Sequence, residues 1–376
     1  MGETADVLAA ISSYRANGAK IALATIVGVR GSTYRRAGAR LVVAEDGTMV
    51  GNLSGGCLEG EVHDLAHFVM ESGTPRLESY DLTADDEVVW GWGLGCNGAI
   101  DVFIEPGDKA AEVADAIRLA VDAERPVVVA TVITSSLDEV EPGARVVFAE
   151  GSPPLGKVGL AALDRAVADE AERARTGGVS EVRPVPAEGG QVDVFFEVID
   201  PPPRLVICGA GHDAIPLAAA AAGLGWRVVV ADDREGMLTA RRFPAAGDLV
   251  LTEPGEVTEK ARIDDRSFVV VMSHNYLRDR DYLRSLLGSD AAYVGMLGPK
   301  ARLERLLGDL SSDGVELPAA SLERVYGPAG LDLGAEGPEE IAAAIVAEIL
   351  ALVRNRNAGF LKDRDAPIHP RLEPAI

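Results

Sequence analysis

The densest grouping of residues able to do chemistry is Gly31-Ser32-Thr33-Tyr34-Arg35-Arg36-Ala37-Gly38-Ala39-Arg40. Glycines, hydroxyls and arginines in one short run suit an anionic ligand, because a guanidinium offers planar paired donors to a carboxylate or phosphate. The bland reading of the same run is a solvated loop. A second motif follows, Ser54-Gly55-Gly56-Cys57. Its two glycines would expose backbone N–H groups. Cys57 stands at the start of a helix expected over 58–70, where the helix N-terminus favours a thiolate, although Glu59 and Glu61 oppose that effect. Cys57 is therefore either a reactive or ligand-binding thiol or a small buried cysteine. Trp92-Gly93-Leu94-Gly95-Cys96-Asn97-Gly98 is a second glycine-cradled cysteine. His63-Asp64-Leu65-Ala66-His67 has the i,i+4 histidines of a zinc helix, with Asp where a metalloprotease has Glu and with Glu59 on the same face. A solvated helix face is the preferred reading there. No P-loop and no G-x-S-x-G motif is present.

Toward the C-terminus stands Gly209-Ala210-Gly211-His212-Asp213-Ala214. Alone, G-x-G-x-x-A is a weak signal, but here it follows a strand at Arg204–Cys208 and opens a helix. Asp232 ends the next strand about 20 positions on, as in a dinucleotide-binding turn. Gly209 would permit the tight turn, Gly211 the approach of a pyrophosphate, and the helix N-terminus would offer N–H groups to the anion. Asp232 would accept from ribose hydroxyls, whereas Arg234 beside it could hold a 2′-phosphate. His212 either touches phosphate or caps the helix. His274, in Ser273-His274-Asn275 after a strand at 268–272, is a candidate general acid/base or a polar loop residue. Cys208 reads as a buried apolar filler.

The elements that must position these groups follow from pattern. An N-terminal helix (4–15), a strand (20–28), a hairpin across Glu45-Asp46-Gly47, the 58–70 helix, strands at 98–105 and 126–133, a helix (109–123) between them and a strand at 192–198 form one part. The stretch 137–190 reads as polar and Gly/Pro-rich with one helix near 161–175, and no internal repeat is expected. Asp200-Pro201-Pro202-Pro203 is a stiff spacer, so the domains are expected at 1–199 and 200–376. The fold class is α/β: an N-terminal α/β domain followed by a C-terminal Rossmann-type doubly wound parallel sheet. The 376 residues carry a net charge of -23, a field that repels nucleic acid and anionic lipid. Three cysteines without a CxxC give no disulfide framework, so a reducing cytoplasm fits. No signal peptide or membrane span is expected.

Taken together these motifs resemble the XdhC/CoxI family, accessory factors of xanthine dehydrogenase and related molybdenum hydroxylases. The match runs from Gly31-Ser32, Arg36, Gly38 and Ser54-Gly55-Gly56-Cys57-Leu58-Glu59-Gly60 through Gly93–Gly98. It continues in Gly209–His212, Asp232-Asp233-Arg234, Ser273-His274-Asn275, Gly295–Lys300 and Gly330–Gly334. The family often has Pro at the places of Tyr34 and Ala37, and often Asp at that of Asn275. The resemblance implies a chaperone that binds the molybdenum cofactor (molybdopterin), assists its sulfuration and passes it to the apo-hydroxylase. It would place cofactor handling on Cys57, the 54–56 turn, Arg36 and Ser32, with Cys57 meeting the molybdenum. It also implies a homodimer, a cysteine desulfurase as a further partner, and a Rossmann half that holds either NAD(P) or part of the pterin cofactor through Gly209, Gly211, His212, Asp232 and Arg234. Two other readings compete: an NAD(P)-dependent oxidoreductase, which lacks an acid/base candidate beyond His274, and a nucleotide-responsive interaction protein without catalysis.

Overall fold

The structure, a computed structural model, describes residues 3–56, 58–81 and 97–365. The chain divides inside its proline run into an N-terminal unit ending at Pro201 and a C-terminal unit spanning Pro202–Asp363. No helix among the described residues is long and apolar enough to cross a membrane.

The N-terminal unit is built twice from one plan. The first half runs α1 (Glu3–Asn17), β1 (Ile21–Ser32), β2 (Arg40–Ala44), β3 (Met49–Gly51), α2 (Glu59–Ser72), β4 (Arg76–Asp81) and β5 (Asn97–Pro106). The second runs α3 (Gly107–Ala123), β6 (Val127–Ser135), β7 (Arg145–Ala149), β8 (Leu155–Lys157), α4 (Ala161–Gly177), β9 (Glu181–Ala187) and β10 (Gly190–Ile199). Each half forms a five-stranded antiparallel sheet, in the orders β3-β2-β1-β5-β4 and β8-β7-β6-β10-β9. The expectation of no internal repeat is thus overturned, and so is the reading of 137–190 as loop around one helix, since β7, β8 and β9 lie there. The signal was present: Ala39-Arg40-Leu41-Val42-Val43-Ala44-Glu45 returns as Ala144-Arg145-Val146-Val147-Phe148-Ala149-Glu150, and Ile100-Asp101-Val102-Phe103-Ile104-Glu105 as Val192-Asp193-Val194-Phe195-Phe196-Glu197. Unequal loops between the repeated strands hide it.

Both faces of the first sheet are covered, which explains the near-continuous apolar run of β1. Ala22, Ala24 and Ile26 pack with Leu41 and Val43 against Val62, Ala66 and Val69 of α2. Leu23 and Val42 face Val7 and Ile11 of α1 and Ala110 and Val113 of α3. In the second sheet Val128, Ala130 and Val146 meet Leu163, Val167 and Ala171 of α4. Val27, Phe103, Ile133 and Phe195 join the two halves in a core of equivalent pairs. Two crossed ion pairs flank it. Arg40 of the first half reaches Glu197 of the second, and Arg145 of the second reaches Glu105 of the first; all four side chains are 9% exposed or less.

The C-terminal unit alternates β11 (Arg204–Cys208), α5 (Ala214–Gly223), β12 (Arg227–Asp232), β13 (Asp248–Leu251), α6 (Val257–Lys260), β14 (Ser267–Val271), α7 (Tyr276–Leu287), β15 (Tyr293–Met296), α8 (Lys300–Ser312), α9 (Ala319–Leu322), β16 (Val325–Tyr326) and α10 (Pro338–Val353). All its strands are parallel, in the order β13-β12-β11-β14-β15-β16, the Rossmann-type doubly wound sheet. Side chains of β11 alternate: Leu205 and Ile207 face α5 and α10, while Val206 and Cys208 face α7 and α8. Strands β13 and β16, too short and too exposed to stand out in the pattern, complete its two edges. Strand order reverses between β11 and β14, which opens a crevice at their carboxyl ends.

Candidate functional site

The crevice is lined by the turn after β11 and the loop after β14. Gly209 has φ +117°, and a Cβ there would lie 2.7 Å from the backbone N and Cα of Ser273, so only glycine lets the turn close onto the neighbouring strand end. The turn is gripped from two sides. The Ala210 N–H donates to Asp232 Oδ2 at 2.6 Å, and Arg242 Nη2 donates to the Ala210 carbonyl at 3.0 Å. Asp232, 2% exposed, also accepts from the Arg234 N–H (2.9 Å) and from Arg234 Nε and Nη2 (2.8 Å each). Burial opposes ionisation of this carboxyl, but the Arg234 guanidinium and the two N–H donors outweigh it and hold its pKa at about 2. Thus the residue expected to meet a ribose is already engaged by protein donors, and Arg234, expected as a phosphate holder, is paired with it.

Across the strand reversal, His274 adopts φ +56°, a left-handed conformation rare for a residue with a side chain. Its Nε2 lies 3.0 Å from Asp213 Oδ2 at the start of α5, and both side chains reach solvent. Beneath them Ser273 Oγ donates to the buried Asp279 carboxylate at 2.5 Å, which also accepts from Arg302 Nη2 at 2.7 Å. Asn275 caps α7 by accepting from the Leu277 and Arg278 N–H groups, and Arg278 pairs with Asp233 at 2.8 Å. His212 is exposed beside the turn, and its carbonyl accepts the Ile215 N–H. Cys208 is fully buried, and burial pushes its thiol far above the ordinary range, as befits an apolar filler. Sequence reasoning missed Asp213 and Arg242. An acid directly before the helix was a usable signal for the first; nothing local pointed to the second.

In the N-terminal unit the structure brings together the loop after β1 and the turn before α2. Tyr34 is exposed, and its ring lies against Gly55, where an added Cβ would come 3.8 Å from Tyr34 Cε1. Several groups expected to face a ligand have partners within the protein. Arg35 pairs with Glu3 at 2.6 Å and Arg40 with Glu197. Glu59 does not join the histidine face as expected: its carboxylate turns back to accept from the Ser54 N–H (3.1 Å), Ser54 Oγ (2.7 Å) and the Leu58 N–H (3.1 Å). The Gly55 N–H, expected to be exposed, donates to Asn52 Oδ1 at 2.7 Å. Gly56 has φ +118° and open space where a side chain would stand, and Arg36 is exposed on the neighbouring loop. Ser32 ends β1 by backbone pairing with Asn97. Cys57 and Trp92–Cys96 lie outside the described residues.

The arrangement offers two chemistries: an exposed basic loop over a glycine turn in one unit, and in the other a carboxylate–imidazole pair at a strand-reversal crevice, able to hold or move a proton. Comparison with known proteins adds the following. Residues 205–349 match the model of the XdhC Rossmann domain, and residues 14–81 that of the XdhC and CoxI family. Over 328 residues the chain is 33% identical to a Bacillus subtilis protein described as a probable xanthine dehydrogenase subunit, covering 87% of this chain and 92% of that one. Over 183 residues it is 34% identical to the uncharacterized protein YqeB of Escherichia coli, covering 48% of this chain and 32% of that one. A crystal structure described as a xanthine dehydrogenase from Bacillus halodurans is similar with a TM-score of 0.76 at 31% identity, over 94% of this chain and 97% of that one.

Proposed function

The chain belongs to the XdhC and CoxI family, and from that premise we propose that it is an accessory factor of a xanthine dehydrogenase-type molybdenum hydroxylase, with the molybdenum cofactor as its cargo. One observation carries the reading. The exposed basic loop bearing Tyr34 and Arg36 meets the Gly55-Gly56 turn directly before Cys57. These donors fit an anionic, phosphate-bearing pterin: Arg36 supplies charge, Tyr34 a hydroxyl and an aromatic face, and the space above Gly56 lets a ligand approach the backbone. Cys57 is the proposed thiolate ligand of the molybdenum, and a cysteine desulfurase the proposed source of sulfur for the bound cofactor. A homodimer in the cytoplasm completes the reading.

For the C-terminal unit we propose a phosphate-bearing ligand, NAD(P) or the pterin's own phosphate, held at the Gly209–Gly211 turn, with Asp213 on the same side and His274 across the crevice from it. Arg234 would have to leave Asp232 to take part. An oxidoreductase reading rests on the same pair, but the N-terminal loop and turn have no place in it.

The test is anaerobic incubation with molybdenum cofactor, followed by metal and pterin analysis of the re-isolated protein. Wild type is expected to retain both in equal amount, and Cys57→Ala to lose at least tenfold in retention. Steady turnover of a nicotinamide with hypoxanthine, in the absence of any hydroxylase, would instead establish the oxidoreductase.

A further inference from the structure

Helix α2 carries a feature that neither proposed ligand uses. Its i,i+4 pair, His63 and His67, converges so that the two Nε2 atoms lie 3.2 Å apart, with ring centroids 4.5 Å apart and the planes inclined at 59°. Two imidazoles bound to one cation at about 2.0–2.1 Å, at an angle between square and tetrahedral, bring their nitrogens to about 2.8–3.4 Å. The observed separation falls in that window. His63 Nδ1 lies 3.2 Å from Asp64 Oδ1. A carboxylate can only accept, so this contact places the proton on Nδ1 and leaves the Nε2 lone pair free to ligate, the usual support for a metal-binding histidine. Both rings are partly buried, with 32% of the His63 side chain exposed, so water can complete a coordination shell.

Among the described residues the site has these two protein ligands. The β2–β3 turn closes in, so that a Cβ at Gly47 would lie 3.4 Å from His63 Nε2. Its two carboxylates are turned to backbone: Glu45 accepts from the Lys20 N–H and Asp46 from the Thr48 N–H. Glu59 is engaged with Ser54. Among the described residues no group of three histidine, cysteine or carboxylate ligands forms.

We propose that His63 and His67 form a binding site for a divalent first-row transition cation of the class that prefers imidazole, such as Ni2+, Cu2+ or Zn2+, bound by two Nε2 atoms and water. This reverses the solvated-face reading of the motif and is independent of the cofactor reading above. Titrating the full chain calorimetrically with Ni2+ tests it, because Ni2+ favours nitrogen over thiolate. Wild type is expected to show a saturable one-to-one isotherm. His63→Ala and His67→Ala should each weaken it at least tenfold, and the double variant should abolish it. A Cu2+ electron paramagnetic resonance spectrum of the unaltered protein, showing two coordinated nitrogens, gives the same answer without a variant. Absence of saturable binding in wild type, or unchanged affinity in a folded double variant, would overturn the proposal and leave the pair as an N–H···N hydrogen bond.

Discussion

The two halves of the N-terminal unit share a scaffold and differ in what it carries. In each, an arginine opening the second strand sits beneath the preceding loop, donating to the carbonyl of Gly38 or Gly143, and crosses to a buried glutamate of the other half. In each, a glycine ending or continuing the third strand passes over that arginine's carbonyl: a Cβ would come 2.3 Å from Arg40 O at Gly51 and 2.4 Å from Arg145 O at Gly156. In each, an acid in the first helical turn fastens the chain that enters the helix, Glu59 through Ser54 and Asp164 through the Val158 N–H. Between the first and second strands, however, the first half has Tyr34, Arg35 and Arg36, and the second has Asp138, Glu139 and Glu141. Before the helix the first has Ser54-Gly55-Gly56-Cys57, and the second Gly159-Leu160. What recurs is what the fold needs. What occurs once is free to serve a ligand.

That division can be broken by experiment. The largest effect is expected at the crossed ion pairs. Arg40→Ala and Arg145→Ala each strand a buried glutamate and should each cost about 3–5 kcal/mol in urea unfolding. If one proves costly and the other neutral, the halves are not equivalent in energy. Next come Gly51→Ala and Gly156→Ala, with φ of +104° and +92° and a backbone oxygen in the way. Each should cost about 1–3 kcal/mol by the same measurement, the price of strained backbone in the left-handed region. The smallest effect sharpens the comparison at the helix entrance. Glu59→Gln should cost about 1 kcal/mol at neutral pH, the size of a lost cap. Burial pushes the Glu59 carboxyl up, but the Ser54 hydroxyl and N–H donors outweigh it and hold it below the ordinary range. A carboxyl lowered by folding stabilises above its unfolded pKa of about 4.3 and loses that contribution as pH falls through the folded value. Unfolding midpoints of wild type and Glu59→Gln should therefore converge on acidification.

Much of the C-terminal unit was legible because its signals are local. Strand, glycine turn and helix follow one another directly, and Gly209 and Asp232 stand at fixed distances in the sequence. The role of Asp232 was not, since it depends on which donors reach its oxygens, and Arg234 folds back while Ala210 presents its N–H from another turn. In the N-terminal unit the loop and turn motifs were readable one by one. Their meeting through Tyr34 and Gly55 was not, because strand pairing between β1, β2 and β3 sets it.

The sequence by itself determined the α/β class, the parallel C-terminal sheet and the two glycine-rich motifs, since periodicity and turn chemistry act over a few residues. The tertiary structure decided the rest. Arg40 and Glu197 stand far apart in the chain and meet only because two like halves pack face to face. His63 and His67 shared a helix face from the start, but which way their rings turn is a matter of rotamer, and only the structure brings both Nε2 atoms toward one point.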